Sequence, residues 1–448
     1  MAQLDAILAA VRRAESAVAA GADPYKATNL VFRPSKCIAD AYNACLAECP
    51  HLLTALVKKY GVDVNGVVEG NKMTLLIAAA FEGSTKCIAV LLSHGADVNL
   101  AAVYEGNPVS PLLAAAEYGH VAVCRQLLEA GADKEFRGQD QFTALHYAAD
   151  NGHIGVAALL MQRGADTRAL DSNMMTPIMH ACQRQQLLCV QALLPHADLA
   201  HCHKYGNSLL HDAAGKGGPA VLEVLLPRYV EAGLVDIAWV VDADNLGPAG
   251  RTPLMSACLC STYTEAKMLL QAGASRYAKD STGCCPLHYS LMGASLACVQ
   301  LLLGTAPTWH YTPEQLNDGS TTGMTVLALA LKWGSADACK LLIAAGADTH
   351  AKLLLNEATF GYADVARAWW PEKPELAALF DPDTVQEPLK SPCCANCQKS
   401  GIWLSACSRC HAVRYCSTAC QAANRRAHKP ACISPKDVFT ANLAKYKR

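Results

Sequence analysis

The sequence predicts a mainly α-helical chain, a solenoid of short helix pairs followed by a small domain folded around two zinc ions. Three observations lead there. A Thr/Ser–Leu signature recurs at intervals close to about 33 residues, the period of a stacked-helix array. A Gly-Ala-Asp signature recurs in phase with it. Four close pairs of Cys and His residues crowd the C-terminal end.

At 448 residues the chain exceeds what one compact core can serve. The first signature reads TLLIAAA at Thr74, SPLLAAA at Ser110, TALHYAA at Thr143 and TPIMHAC at Thr176. It continues as SLLHDAA at Ser208, TPLMSAC at Thr252, CPLHYSL at Cys285 and TVLALAL at Thr325. The Gly-Ala-Asp signature closes a Leu pair at Gly95, Gly131, Gly164 and Gly346, with degenerate copies at His196 and Gly273. Each residue type has a physical reason to be there. Thr143 or Thr252 caps a helix, and Pro253 at the first helical position forfeits no hydrogen bond. The Leu and Ala residues that follow line one face, Ala permitting close approach of a neighbour. Gly119-His120 and Gly152-His153 suit a tight turn into a second helix, and the closing Gly ends that helix with positive φ. A helix pair this short cannot bury its apolar face alone. The array resembles the ankyrin repeat, and the resemblance covers roughly residues 1 to 380.

The predicted organisation is a helical cap over 1–36, about nine repeats over 37–350 and a capping half-repeat over 351–380. The half-repeat carries aromatic cover from Trp369, Trp370 and Phe380. Two intervals are long, at 227–249 and 304–322, and read as surface loops. Residues 381–392 contain Pro382, Pro388 and Pro392 and read as an extended linker. Residues 393–432 form the finger and 433–448 a basic tail.

Composition narrows the function class. Of 38 basic and 39 acidic residues, eleven and one respectively fall after residue 387, leaving 27 against 38 upstream. An acidic body thus carries a basic end. No window reaches the ~18 apolar residues of a membrane span. The N-terminal apolar run is preceded by Asp5 and followed by Arg12 and Arg13, unlike a secretory signal. The 22 cysteines therefore point to a reducing compartment, cytosol or nucleus, with the clustered thiols on metal. The fourteen upstream of the finger, such as Cys182 and Cys258, read as small core residues. His196, His201, Cys202 and His203 lack paired ligand spacing and read as a loop. Tyr104, Phe136, Phe142, Met175 and Tyr205 fit packing as well as partner contact, and no site is assigned to them.

The terminal cluster runs C-x2-C, C-x2-C, C-x3-C, H-x3-C: Cys394, Cys397, Cys407, Cys410, Cys416, Cys420, His428 and Cys432. Eight such donors suit two tetrahedral zinc ions. Ser417 can cap a helix that Pro430 stops, placing Cys416 and Cys420 one turn apart on a shared metal. His428, a rise of roughly 12 Å beyond Cys420, then belongs to the other ion. Spacing leaves open which CxxC joins Cys416 and Cys420. Cys393, beside a ligand, reads as a spare thiol.

The string from Cys394 to Cys432 is similar to the MYND-type zinc finger. The resemblance implies interleaved sites, Cys394, Cys397, Cys416 and Cys420 on one zinc and Cys407, Cys410, His428 and Cys432 on the other. Metal binding then supplies most of the folding energy. In that family a Gln and a Trp help hold short proline-containing peptides. Here Gln421 is present but Arg425 stands at the Trp place, so the implied peptide groove lacks its aromatic wall; Trp403 offers another aromatic surface.

The functional expectation is a non-catalytic interaction adaptor, the array recognising one protein and the finger making a second contact. No nucleophile elbow, phosphate-binding loop or H-E-x-x-H motif occurs, and nothing resembles the N-H-x-C signature of a SET domain. The alternative is a regulatory protein associated with nucleic acid through the basic end, whose surplus the metal sites' net negative charge reduces. A ubiquitin-ligase component is a further alternative, although a RING would order its ligands differently. The expected partners are proteins, without a membrane.

Overall fold

A computed structural model describes residues 11–12, 15–23, 37–68, 72–236, 250–304, 311–320, 324–350, 353–355 and 358–380, with the short strands 405–406 and 414–415. It divides into two units, Met1–Lys204 with Lys216–Leu225, and Tyr205–Gly215 with Leu226–Arg448.

Both units are built from antiparallel helix pairs. In the first these are Cys37–Leu46 with Pro50–Tyr60, Leu75–Glu82 with Thr85–Ser93, Pro111–Glu117 with Val121–Glu129, Ala144–Asp150 with Ile154–Gln162, and Pro177–Gln183 with Leu187–Leu193. The second contains Leu209–Asp212, Pro253–Leu259 with Tyr263–Gln271, Pro286–Met292 with Leu296–Leu303, and Val326–Lys332 with Ala336–Ala344. A last pair, Tyr362–Trp369 with Pro374–Ala378, follows the β3–β4 hairpin of Leu353–Leu355 and Ala358–Phe360. The mainly helical repeat architecture read from the signatures is what the chain forms.

The signature residues cap as their chemistry requires. Thr74 Oγ1 accepts from Ile77 N at 3.2 Å, and Ser110 Oγ from Leu113 N at 3.3 Å. Pro111, Pro177, Pro253 and Pro286 occupy first-turn positions. Ala78–Ala80 and Ala114–Ala116 are fully buried, which lets successive first helices approach closely. The closing glycines Gly95, Gly131, Gly164 and Gly346 take φ between 74° and 97°.

Hydrogen bonds then join each repeat to the next. His146 Nδ1 accepts from Thr143 N at 3.2 Å, while its Nε2–H donates to Met175 O one repeat on. His211 and His288 repeat the arrangement towards Arg251 O and Met324 O. This demands a neutral ring. Burial, and secondarily the charge of His180, pushes the pKa of His146 down to about 4. A second set of rings reaches backwards: His120 Nε2 bonds Phe81 O at 2.8 Å and His153 Nε2 bonds Glu117 O at 2.9 Å. These rings cover the turn glycines so closely that a Cβ on Gly83 would lie 2.5 Å from His120, and one on Gly119 2.6 Å from His153. Trp370 plays the same part over Gly334, its Nε1–H donating to Leu331 O. Asn65 and Asn99 bridge successive loops, each side chain bonding the Gly carbonyl and the Asp N–H of the next Gly-Ala-Asp.

The long intervals are not simply loops, which corrects the sequence reading. Within 227–249, helix Gly218–Glu231 continues past Pro227, and Tyr229 is fully buried; residues 237–249 lie outside the described residues. Within 304–322, Pro313–Asn317 is a capped helix, Leu316 is buried, and the Tyr311 hydroxyl donates to Arg276 O at 2.5 Å. Buried apolar side chains anchor both insertions. A hairpin unmarked by either signature pairs β1, Ala102–Tyr104, with β2, Asn107–Val109. Its turn places Glu105 and Gly106 at φ 49° and 86°, the two-residue geometry that matches strand twist.

A polar cluster in the first unit is built on buried Asp171. His180 Nε2–H donates to Asp171 Oδ2 at 2.9 Å, and its Nδ1 faces Asp150 at 3.7 Å, where Arg184 also bonds. Burial opposes charging the imidazole, but the two carboxylates outweigh it and raise its pKa. Burial likewise opposes charging Asp171 and Asp150, yet His180 and their other partners hold both below the usual carboxylate value.

Two expectations follow. Leu145 is buried, so Leu145→Ala should cost about 2–5 kcal/mol in chemical unfolding by leaving a cavity; a loss below about 1 kcal/mol would show that the repeat stands without its neighbours. The His180 cluster should be pH-dependent. A raised imidazole stabilises fully below its ordinary value of 6.5, and this is lost as pH rises through the folded value. The lowered carboxylates stabilise above their ordinary 3.8, and this is lost as pH falls. His180→Gln should therefore cost roughly 1–3 kcal/mol between those limits and clearly less in alkaline solution, measured by urea melts across pH. An equal cost at every pH would rule out a charged His180.

Candidate functional site

The eight expected metal ligands, Cys394, Cys397, Cys407, Cys410, Cys416, Cys420, His428 and Cys432, lie outside the described residues, as do Cys393, Gln421, Arg425 and the linker 381–392. Between them the backbone forms one antiparallel ladder, with β5, Ser405–Ala406, pairing β6, Arg414–Tyr415. Cys407 is the next residue in sequence after β5, and Cys416 the next after β6. A donor set of seven thiols and one imidazole suits zinc rather than the oxygen-seeking cations.

Within the first unit, a hollow of about 210 Å³ opens between the helices Cys37–Leu46 and Leu75–Glu82 and the β1–β2 hairpin. Tyr42, Phe81, Tyr104 and Tyr118 line it with Leu46, Met73, Ala78 and Glu82. The rings of Phe81 and Tyr118 meet edge to face, centroids 5.2 Å apart, and Phe81 meets Tyr104 in the same way at 6.2 Å. The Tyr42 hydroxyl donates to Met73 Sδ at 3.7 Å. Burial raises the pKa of Glu82 and nearby Glu48 adds to the rise, while His120 and Arg12 oppose it.

The His196–His203 segment borders a second hollow of about 140 Å³, to which His201 contributes. His201 Nε2 bonds Met174 O at 2.8 Å, the Cys202 thiol donates to Ala200 O, and His203 is buried. Among the described residues no group of His, Cys, Asp or Glu side chains is placed to hold a metal. Of the aromatic and Met residues left unassigned, Phe142 packs on His146, Tyr147 and His180, and Met175 is buried. Tyr205 is exposed. Tyr104 alone of that set lines the larger hollow. Sequence reasoning missed its companions Tyr42, Phe81 and Tyr118. The available signal was aromatic residues beside the turn glycines, Phe81 two before Gly83 and Tyr118 one before Gly119.

No described helix is long and apolar enough to cross a membrane. Comparison with known proteins completes the assignment. A 101-residue stretch is 31% identical to the Target of rapamycin complex 2 subunit AVO2 of Saccharomyces cerevisiae, covering 22% of this chain and 21% of that protein. The chain thus spans about a fifth of that relative's length. The MYND finger model matches residues 394–432, and a finger of this type binds zinc. Ankyrin-repeat models match residues 71–102, 100–171, 145–236, 231–312 and 279–353. Those matches run through more than half of the sequence, and the chain belongs to the ankyrin-repeat proteins, with a MYND finger near its C-terminal end.

Proposed function

We propose that this protein is a non-catalytic adaptor whose repeat array recognises one protein while its finger contacts another. The observation that carries the reading is the presence in one chain of two module types that both serve protein contact. The yeast relative is by its name a subunit of a multiprotein complex, which supports a role within an assembly. The finger holds two zinc ions in this reading, Cys394, Cys397, Cys416 and Cys420 on one and Cys407, Cys410, His428 and Cys432 on the other. Arg425 in place of an aromatic wall weakens any grip on proline-containing peptides. The protein acts in the cytosol or nucleus.

Metal analysis of the reduced, purified chain should find two zinc ions, both lost when residues 388–448 are removed; a single ion, or zinc retained after truncation, would defeat the two-site assignment. Affinity capture with the full chain should recover protein partners of two kinds. Cys407→Ser should abolish one kind by disordering the finger and leave the other intact. Recovery of no partner, or loss of all partners together, would count against two independent contacts.

A further inference from the structure

We propose that the hollow formed by Tyr42, Phe81, Tyr104 and Tyr118 is an aromatic cage for a methylated lysine side chain of a partner protein. The inference rests on the adaptor reading and names the chemistry that one of its surfaces recognises.

A cation is attracted to the face of an aromatic ring within about 6 Å of the centroid, most strongly where several faces converge and water is excluded. Phe81 stands at 62° to Tyr104 and 71° to Tyr118, so the three rings that line the hollow are steeply inclined to one another. Tyr42 adds a fourth ring, and Leu46, Met73 and Ala78 add apolar surface. Glu82 contributes a carboxylate to the lining, and Glu48 lies close enough to act on it. Arg12 and His120 oppose this field. Arg12 directs its Nε to Ala47 O, and His120 directs its Nε2 to Phe81 O.

The walls are set before any ligand arrives. Tyr118 is 54% exposed. It is nevertheless held by Phe81 through edge-to-face contact and by His120, whose ring stacks on it at 6.4 Å and 11°. The two-residue turn of β1–β2 fixes Tyr104 at the end of its strand. Preorganised rings lose little freedom on binding.

The lining selects among cations. An unmodified lysine ammonium carries three N–H donors and a tight hydration shell, which aromatic faces and aliphatic carbons replace poorly. Each methyl group substitutes a C–H surface that the rings accept, while the positive charge is kept. A volume of about 210 Å³ accommodates such a head with the methylenes behind it. A guest on a protein side chain is favoured because the cage belongs to a repeat of a protein-binding array, with Val103 of the adjoining hairpin also exposed.

The test uses the full chain and an array of peptides, each presented with lysine unmodified and trimethylated. Peptides bound in the trimethylated form are then titrated beside versions carrying a neutral tert-butyl isostere, and beside tetramethylammonium chloride. The trimethylated peptide should bind roughly tenfold tighter than its unmodified and neutral counterparts. Glu82→Gln should weaken it several-fold with little change in the thermal midpoint. Tyr118→Ala should weaken it by more than the loss of its contacts with Phe81 and His120, read as a lowered midpoint, accounts for. The proposal is overturned if no peptide binds in a methylation-dependent way, if the neutral isostere binds equally well, or if both substitutions leave affinity unchanged. Tetramethylammonium binding as tightly as the peptide would also overturn it, making the ligand a free small cation. These failures leave the adaptor reading intact, because partner capture by the full chain decides that separately.

Discussion

A helix of two turns cannot hide its own apolar face, and every other feature of the array answers to that limit. The fully buried alanines of the first helices are there because a neighbouring helix must come within a methyl group's distance. Close approach in turn buries polar backbone at the helix starts, and side chains satisfy it. Thr74 and Ser110 cap their own helices, while His146, His211 and His288 cap one repeat and bond the carbonyl of the next. A histidine does this with one ring because its two nitrogens can be acceptor and donor at once, and burial keeps it in that neutral form.

How much of this could be read in the sequence depended on range. The Thr/Ser–Leu and Gly-Ala-Asp signatures express local requirements, a cap and a left-handed terminus, and they recur where the structure places them. The insertions were harder. Nothing local says that Tyr229 and Tyr311 turn inward, and Tyr311 is fixed by Arg276, thirty-five residues away. The His180 cluster was equally hidden, since Asp171 precedes its partner by nine residues and Asp150 lies in the previous repeat. The aromatic hollow combines Tyr42, Phe81, Tyr104 and Tyr118 from successive repeats, and only the stacking register shows that these rings meet. The expected zinc ligands represent the opposite case. They are proposed from spacing alone, with no appeal to long-range contacts, and they lie outside the described residues.

The two modules draw their stability from different sources. The array depends on area removed from water, accumulated over many interfaces, and weakens gradually as any one of them is damaged. The finger is of a zinc-binding type, and in a domain of about forty residues metal binding is folding energy. Their charges also differ, with nearly all the acidic residues upstream and a basic surplus at the end.

The cysteines divide along the same line, with a consequence for reactivity. Eleven of the thiols upstream of the finger are buried among the described residues. Burial pushes Cys49, Cys124 and Cys339 up to about 12, and Cys189 and Cys284 to about 11. These five carry almost no anion at neutral pH, whereas hydrogen bonds from Cys45 and Cys258 lower Cys87 and Cys298, the latter to about 7, and Cys260 is exposed. Thiols that hold zinc must be anions, and an oxidant that consumes them also removes the metal. Peroxide or an alkylating agent would therefore strike this protein unevenly, sparing Cys49, Cys124, Cys189, Cys284 and Cys339 and reaching Cys260 of the array as readily as any open thiol.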